Sequence, residues 1–195
     1  MNEAPLILAS ASPRRAELLR QIGLQFQVCA SVIQENMPAF SVTPETLVQD
    51  LALDKVKQVV DMVFQKAIII GADTIVVMEN RILGKPSGPE EAEQTLSLLS
   101  GKEHFVYTGL AIMEKPSHRY ELSFAVTKVK FRFLSSRAIR SYVATGEPLD
   151  KAGSYGIQGK GALLVERIEG CYFNVVGLPI SKLVSMLETF GVRVW

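Results

Sequence analysis

Apolar and polar positions change their spacing along this chain in a way that separates strands from helices. Leu6 to Ala9 is a short continuous apolar run, and it reads as a strand over 5–9. Leu47, Val48, Leu51, Ala52 and Val59 recur at helical intervals and mark one face of a helix over 44–63. Thr43 followed by Pro44 is a good start for that helix. A second helix, 89–99, begins at Pro89 with acids in its first turn and stops before Gly101. The same reading predicts helices at 13–22, 135–145 and 179–190. It predicts further strands at 25–29, 67–71, 74–78, 104–113, 120–133, 162–168 and 172–176. Strands alternating with helices imply an α/β protein. The strands at 104–113 and 120–133, joined by "EKPSHR", read as an antiparallel hairpin, so the sheet is mixed. No repeat, low-complexity tract or linker interrupts the pattern, and residues 1–195 read as a single domain.

Composition narrows the classes. The 195 residues are 48% hydrophobic and 21% charged, as expected of a globular protein. The net charge of +1 argues against duplex nucleic acid as a partner and confines any basic patch to a local site. Cys29 and Cys171 form no CxxC pair, and with two histidines a zinc site is not suggested. No signal peptide opens the chain, and no apolar run approaches the roughly 20 residues of a membrane span. The expectation is a cytoplasmic protein with no membrane partner.

A few residues break the pattern in chemically informative ways. In "LILASASPRRAELL", Ser12 reads as the N-cap of the 13–22 helix and Pro13 as its first residue. Arg14 and Arg15 then occupy the first turn, where the macrodipole is already positive and a helix built only for stability would carry acids. They are either solvated surface arginines or part of an anion site, with Ser10 and Ser12 adding hydroxyls. Asp73 interrupts the apolar stretch "AIIIGADTIVVM". Either it caps a turn between two strands, or it stands at a strand end to bind a cation or take a proton from water. Lys55 falls within the apolar stripe of the 44–63 helix, so it either snorkels or enters an anionic pocket. Lys85 lies in a loop before the 89–99 helix and Glu35 in a loop near a proline. Both read as surface residues when taken alone.

The stretch "DKAGSYGIQGKGALL" (150–164) carries four glycines but fails the phosphate-loop test. Five residues separate Gly153 from Gly159, and Gly161 follows Lys160 where Ser or Thr is needed. Its Gln158 offers an amide with both donor and acceptor, which suits the imide edge of uracil or thymine.

Together, "LILASASPRRAELL", "GADTIVV", "GKP", "LSGKEHFVYTGLAI", "YVATGEPLDKAGSYGIQGKG" and "VVGLPISKL" resemble the Maf family of nucleoside triphosphate pyrophosphatases. The motifs occur in the family's order from residue 6 to about 183, and the set is far more specific than any member. The wording "AGSYGIQGKG" is similar to the branch acting on dTTP and UTP; the 7-methyl-GTP branch carries an acid near the glutamine position. The resemblance implies an α/β fold similar to inosine triphosphatase, with a long mixed sheet and two lobes around a central cleft. It implies hydrolysis of a nucleoside triphosphate between its α- and β-phosphates, with Mg2+ or Mn2+ as cofactor. The family's catalytic acid falls on Asp73, its paired arginines on Arg14 and Arg15, and its phosphate-contacting lysines on Lys55 and Lys85. Its base-selectivity positions fall on Arg14, Thr74 and Gln158.

This chain departs from the family's pattern at two places. Many relatives have two acids where it has Gln34-Glu35, so any metal role for that loop rests on Glu35, beside Asp73. Many have Glu-Lys-Pro where it has Gly84-Lys85-Pro86, which removes an acid but keeps the lysine. The resemblance also suggests a homodimer. The competing reading is a non-catalytic nucleotide-binding regulator of cell division, since family members are associated with septum formation. Such a module need not keep both Asp73 and Lys55.

Overall fold

The computed structural model describes residues 4–30 and 43–194. It contains seven strands and six α-helices among those residues. In chain order they are β1 (Leu6–Leu8), α1 (Pro13–Gln21), β2 (Phe26–Val28), α2 (Pro44–Met62), β3 (Ala67–Met78), β4 (Arg81–Leu83) and α3 (Pro89–Leu99). There follow β5 (Glu103–Lys115), β6 (Tyr120–Phe131), α4 (Ser136–Val143), β7 (Val165–Glu169), α5 (Tyr172–Val176) and α6 (Ile180–Thr189). Three short 3-10 turns, Glu147–Asp150, Ala152–Ser154 and Gly159–Leu164, lie between α4 and β7. The hydrogen-bonded strand order is β2-β1-β3-β5-β6-β7, with β4 also paired to β3. β1 is parallel to both β2 and β3, whereas β3–β4 and β6–β7 are antiparallel. The sheet is therefore mixed, as the alternation and the hairpin imply. The connection between β5 and β6 is far too short for a crossover, which makes that pair antiparallel.

The chain forms two compact units. The first comprises residues 1–73, 108–125 and 177–195, and the second 74–107 and 126–176. In the first, α2 lays Ala52, Leu53, Val56, Val59 and Val60 on Ile7, Ile69, Ala111 and Met113. Thr43 begins α2 as expected, its hydroxyl accepting from the Thr46 N–H at 3.4 Å. Two glycines let this helix come close to its strands. A Cβ on Gly71 of β3 would lie 2.5 Å from the Ala52 carbonyl oxygen, and one on Gly109 of β5 would lie 2.0 Å from that of Val48. The second unit has its own core, with Leu96 and Leu99 of α3, Val129 and Phe131 of β6, Tyr142 of α4, and Tyr155.

Several expectations are corrected. Residues 67–78 are one strand and not two: β3 pairs with β1 at Ile68–Ile70 and with β4 at Val76–Met78, so no turn forms at Gly71 to Thr74. The three-residue β4 has too little pattern to be legible. The predicted strand at 172–176 is a helical turn, α5. Its aromatic and β-branched residues favour a strand, but the buried Asn174 Nδ2 donates to the Val106 carbonyl and to Thr127 Oγ1, both at 2.9 Å. The predicted strand at 162–168 begins only at Val165, because Gly159–Leu164 coils into a 3-10 turn. Ser12 is the N-cap of α1 by position, yet its side chain makes no capping bond. The Ser10 hydroxyl is engaged instead, accepting from the Ser12 N–H at 3.2 Å.

Candidate active site

In the first unit, β1 runs parallel to β3 in a register that sets Leu8 against Ile70, with the Ala9 N–H donating to the Ile70 carbonyl at 2.7 Å. Ser10 to Arg15 thus follow the C-terminal end of β1, and Asp73 lies three residues beyond Ile70. In open α/β sheets this end of the strands is where ligands are received. Asp73 is 4% exposed, buried in the middle of β3. A bare carboxylate there is costly. Lys55 answers it: its ammonium reaches down from α2 and donates to Asp73 Oδ1. The lysine in the apolar stripe therefore enters an anionic site and does not snorkel to the surface. The two glycines that seat α2 are what bring Lys55 within reach of β3.

Arg15 is also turned inward, at 9% exposure. Its Nε donates to the Gly177 carbonyl at 2.8 Å and its terminal nitrogen to Ser10 Oγ at 3.1 Å. These bonds fix the plane of the guanidinium and account for part of what first-turn positive charge does in this helix. Arg14 is half-buried in the same turn. The structure thus brings together Ser10 with Arg15, and Lys55 with Asp73. Glu35 lies outside the described residues.

Thr74, Lys85 and Gln158 belong to the second unit. Thr74 is half-buried in β3, Lys85 is exposed after β4, and Gln158 is half-buried ahead of the Gly159–Leu164 turn. The glycine-rich stretch around Gln158 is anchored. Tyr155 is buried, and its ring meets Phe131 and His104 edge-on at centroid distances of 4.7 and 5.3 Å. Its hydroxyl lies 2.8 Å from His104 Nε2. Burial depresses the His104 pKa to about 4, so the imidazole is neutral at physiological pH. The Gly153 N–H donates to the Gly84 carbonyl at 3.0 Å, beside Lys85. Gly153 itself needs to be glycine: its φ is +66°, and a Cβ would meet Val76 at 3.0 Å.

Sequence reasoning missed Glu147. Its carboxylate accepts from the Tyr142 hydroxyl at 3.1 Å and from the backbone N–H groups of Lys160 and Gly161 at 3.2 and 3.1 Å. The one signal available was its place in "TGEPLD", an acid directly after a turn glycine.

A family model for Maf-like proteins matches residues 5–190. The chain belongs to the Maf family. It is 51% identical over 190 residues to a "dTTP/UTP pyrophosphatase" of Moorella thermoacetica, covering 97% of each chain. It is 50% identical over 186 residues to one of Dictyoglomus turgidum, covering 95% of this chain and 96% of the relative. A Bacillus cereus relative with the same name is 49% identical over 193 residues, covering 99% of this chain and 93% of its own. Among solved structures, the Staphylococcus aureus Ham1 protein matches 65% of this chain and 71% of its own at 12% identity, with a TM-score of 0.40. No helix among the described residues is long and apolar enough to cross a membrane.

Proposed function

We propose that this Maf-family chain hydrolyses dTTP and UTP to the nucleoside monophosphate and pyrophosphate. The buried Asp73 carboxylate in mid-strand, compensated by Lys55, carries the reaction class. The shared name of relatives about half identical over nearly the whole chain supports the substrates. In this reading a water attacks the α-phosphorus in line with the oxygen that bridges to the β-phosphorus. Asp73 orients that water and takes its proton. The bond from the α-phosphorus to the bridging oxygen breaks, and its electron pair leaves with pyrophosphate. Arg14, Arg15, Lys55 and Lys85 stabilise the charge that develops on the phosphoryl oxygens and the leaving group. Arg15 acts from a fixed plane because Ser10 and Gly177 hold it. Ser10 and Ser12 line the anion turn. Thr74, Gln158 and Arg14 read the pyrimidine, with the Gln158 amide matching an imide edge in which an N–H lies between two carbonyls.

The donor set fits a hard divalent cation. Asp73 supplies an anionic oxygen, and Mg2+ or Mn2+ needs only one or two carboxylates beside water and substrate phosphate. Asp73 and Glu35 are the protein ligands in this reading. When bound, the cation neutralises charge on the phosphates.

The test is pyrophosphate release from all common nucleoside triphosphates, with and without Mg2+ or Mn2+. UTP and dTTP are expected to lead the ranking. Asp73→Asn, nearly isosteric, is expected to lose activity by about a thousandfold, within the range for removal of a general base, while circular dichroism stays native. Near-normal release by that variant would exclude Asp73 as the base. A chain that binds UTP but releases no pyrophosphate under any condition would favour the non-catalytic regulator.

A further inference from the structure

We infer that Glu147 is a positioning residue for base selection, acting through Gln158; this rests on the reading of Gln158 given above. The 150s loop carries no regular ladder that would hold the backbone in place around the half-buried Gln158. Glu147 supplies the substitute. Oε2 accepts from the Lys160 N–H at 3.2 Å, and Oε1 accepts from the Gly161 N–H at 3.1 Å and from the Tyr142 hydroxyl at 3.1 Å. The Tyr142 oxygen in turn accepts from the Gly156 N–H at 3.3 Å. The chain is thus held at Gly156 on one side of Gln158 and at Lys160 and Gly161 on the other, with both holds ending on the same carboxylate.

The surrounding geometry shows that this clamp is tight. A Cβ on Gly159 would approach Glu147 Oε2 to 3.1 Å, and one on Gly161 would meet the Gly156 carbonyl oxygen at 2.0 Å and the Tyr142 hydroxyl at 2.7 Å. Glu147 is itself held. Lys151 Nζ donates to its carbonyl oxygen at 2.5 Å and to Asp150 Oδ1 at 2.6 Å. A carboxylate that accepts from two backbone N–H groups and a buried hydroxyl is a strong local constraint, because charge-assisted bonds are about twice as strong as neutral ones. A base-reading amide confers selectivity only if its direction is fixed before the base arrives.

The experiment compares kcat and KM for UTP, dTTP, CTP and GTP in the full chain and in Glu147→Ala, Glu147→Gln, Tyr142→Phe and Gln158→Ala. Glu147→Ala is expected to raise KM for UTP and dTTP about tenfold while kcat changes little, the signature of lost ground-state binding. The preference for UTP over CTP and GTP is expected to fall toward that of Gln158→Ala. Glu147→Gln, which keeps one acceptor oxygen, is expected to recover part of it. The double variant Glu147→Ala/Gln158→Ala is expected to be no less selective than Gln158→Ala alone, since both act through one group. Tyr142→Phe removes only the Gly156 branch and is expected to shift the preference in the same direction, which keeps the proposal testable if Glu147→Ala does not fold. A preference lost in Gln158→Ala but retained in the Glu147 and Tyr142 variants would overturn this proposal alone. A preference unmoved in Gln158→Ala would overturn the reading of Gln158 and this proposal with it.

Discussion

The close seating of α2 on β3 and β5 can be tested with a single methyl group. Gly109 lies in β5, buried under α2, and its φ is outside the left-handed region, so alanine is permitted by the backbone. Space is the obstacle. The new Cβ would stand 2.0 Å from the Val48 carbonyl oxygen, 2.2 Å from its carbon and 2.7 Å from the Gln49 nitrogen. All three are backbone atoms of α2, so no side chain can rotate away. Moving from 2.0 Å to the 3.4 Å at which ordinary contact begins requires α2 and β5 to separate by about 1.4 Å. Overpacking costs about 1–3 kcal/mol where side chains yield, and a rigid helix backbone puts this site at the upper end. Replacing glycine returns less than about 1 kcal/mol through the unfolded chain. The net expectation is a loss of about 2–3 kcal/mol, which for a chain of this length lowers the melting temperature by about 5–10 °C. Gly84→Ala is the control, because its Cβ meets nothing within 4 Å. The assay is thermal unfolding followed by circular dichroism, paired with pyrophosphate release, since α2 also carries Lys55. Expected are a lower melting point and reduced turnover in Gly109→Ala, with both near the parent's in Gly84→Ala. If the two variants melted together within about 2 °C, the argument that glycine seats this helix would fail.

Two other perturbations follow from the buried polar groups of the second unit. His104 has a pKa near 4 in the folded chain and the ordinary 6.5 when unfolded, so the unfolded state binds more protons between those values. Its contribution is present in full above pH 6.5 and is lost as the pH falls toward 4, by up to about 3 kcal/mol. In urea titrations from pH 7 to 4, the parent is expected to lose stability more steeply than His104→Gln, and parallel curves would contradict this. Asn174→Ala removes two buried hydrogen bonds that create α5. It is expected to cost about 2–4 kcal/mol, read as a fall in the urea midpoint. A change under about 0.5 kcal/mol would mean that α5 is held by other means.

Much of this protein is local and was therefore legible from its residues alone. The alternation of strands and helices, the Thr43 and Pro44 start of α2, and the bounds of α3 depend on neighbours within a few positions. The same is true of the mixed sheet, inferred from one hairpin. Arg14, Arg15, Lys55 and Asp73 stand out in the sequence by charge set against an apolar or already positive background, although their roles stayed open at that level.

Tertiary structure decided what local spacing leaves open. Whether Gly71 to Thr74 turns or continues depends on β1 and β4 pairing along β3. Whether 172–176 is strand or helix depends on Asn174 reaching a carbonyl 68 residues away. The inward turn of Arg15 depends on the carbonyl of Gly177, at a separation of 162 residues. Glu147 is singled out only by folding, which sets its carboxylate against two backbone N–H groups within the glycine-rich stretch. Periodicity records which face of an element is buried. Only the folded chain determines which distant polar group meets it there, because the cost of burying a carboxylate or an amide falls on whatever partner the topology brings within reach.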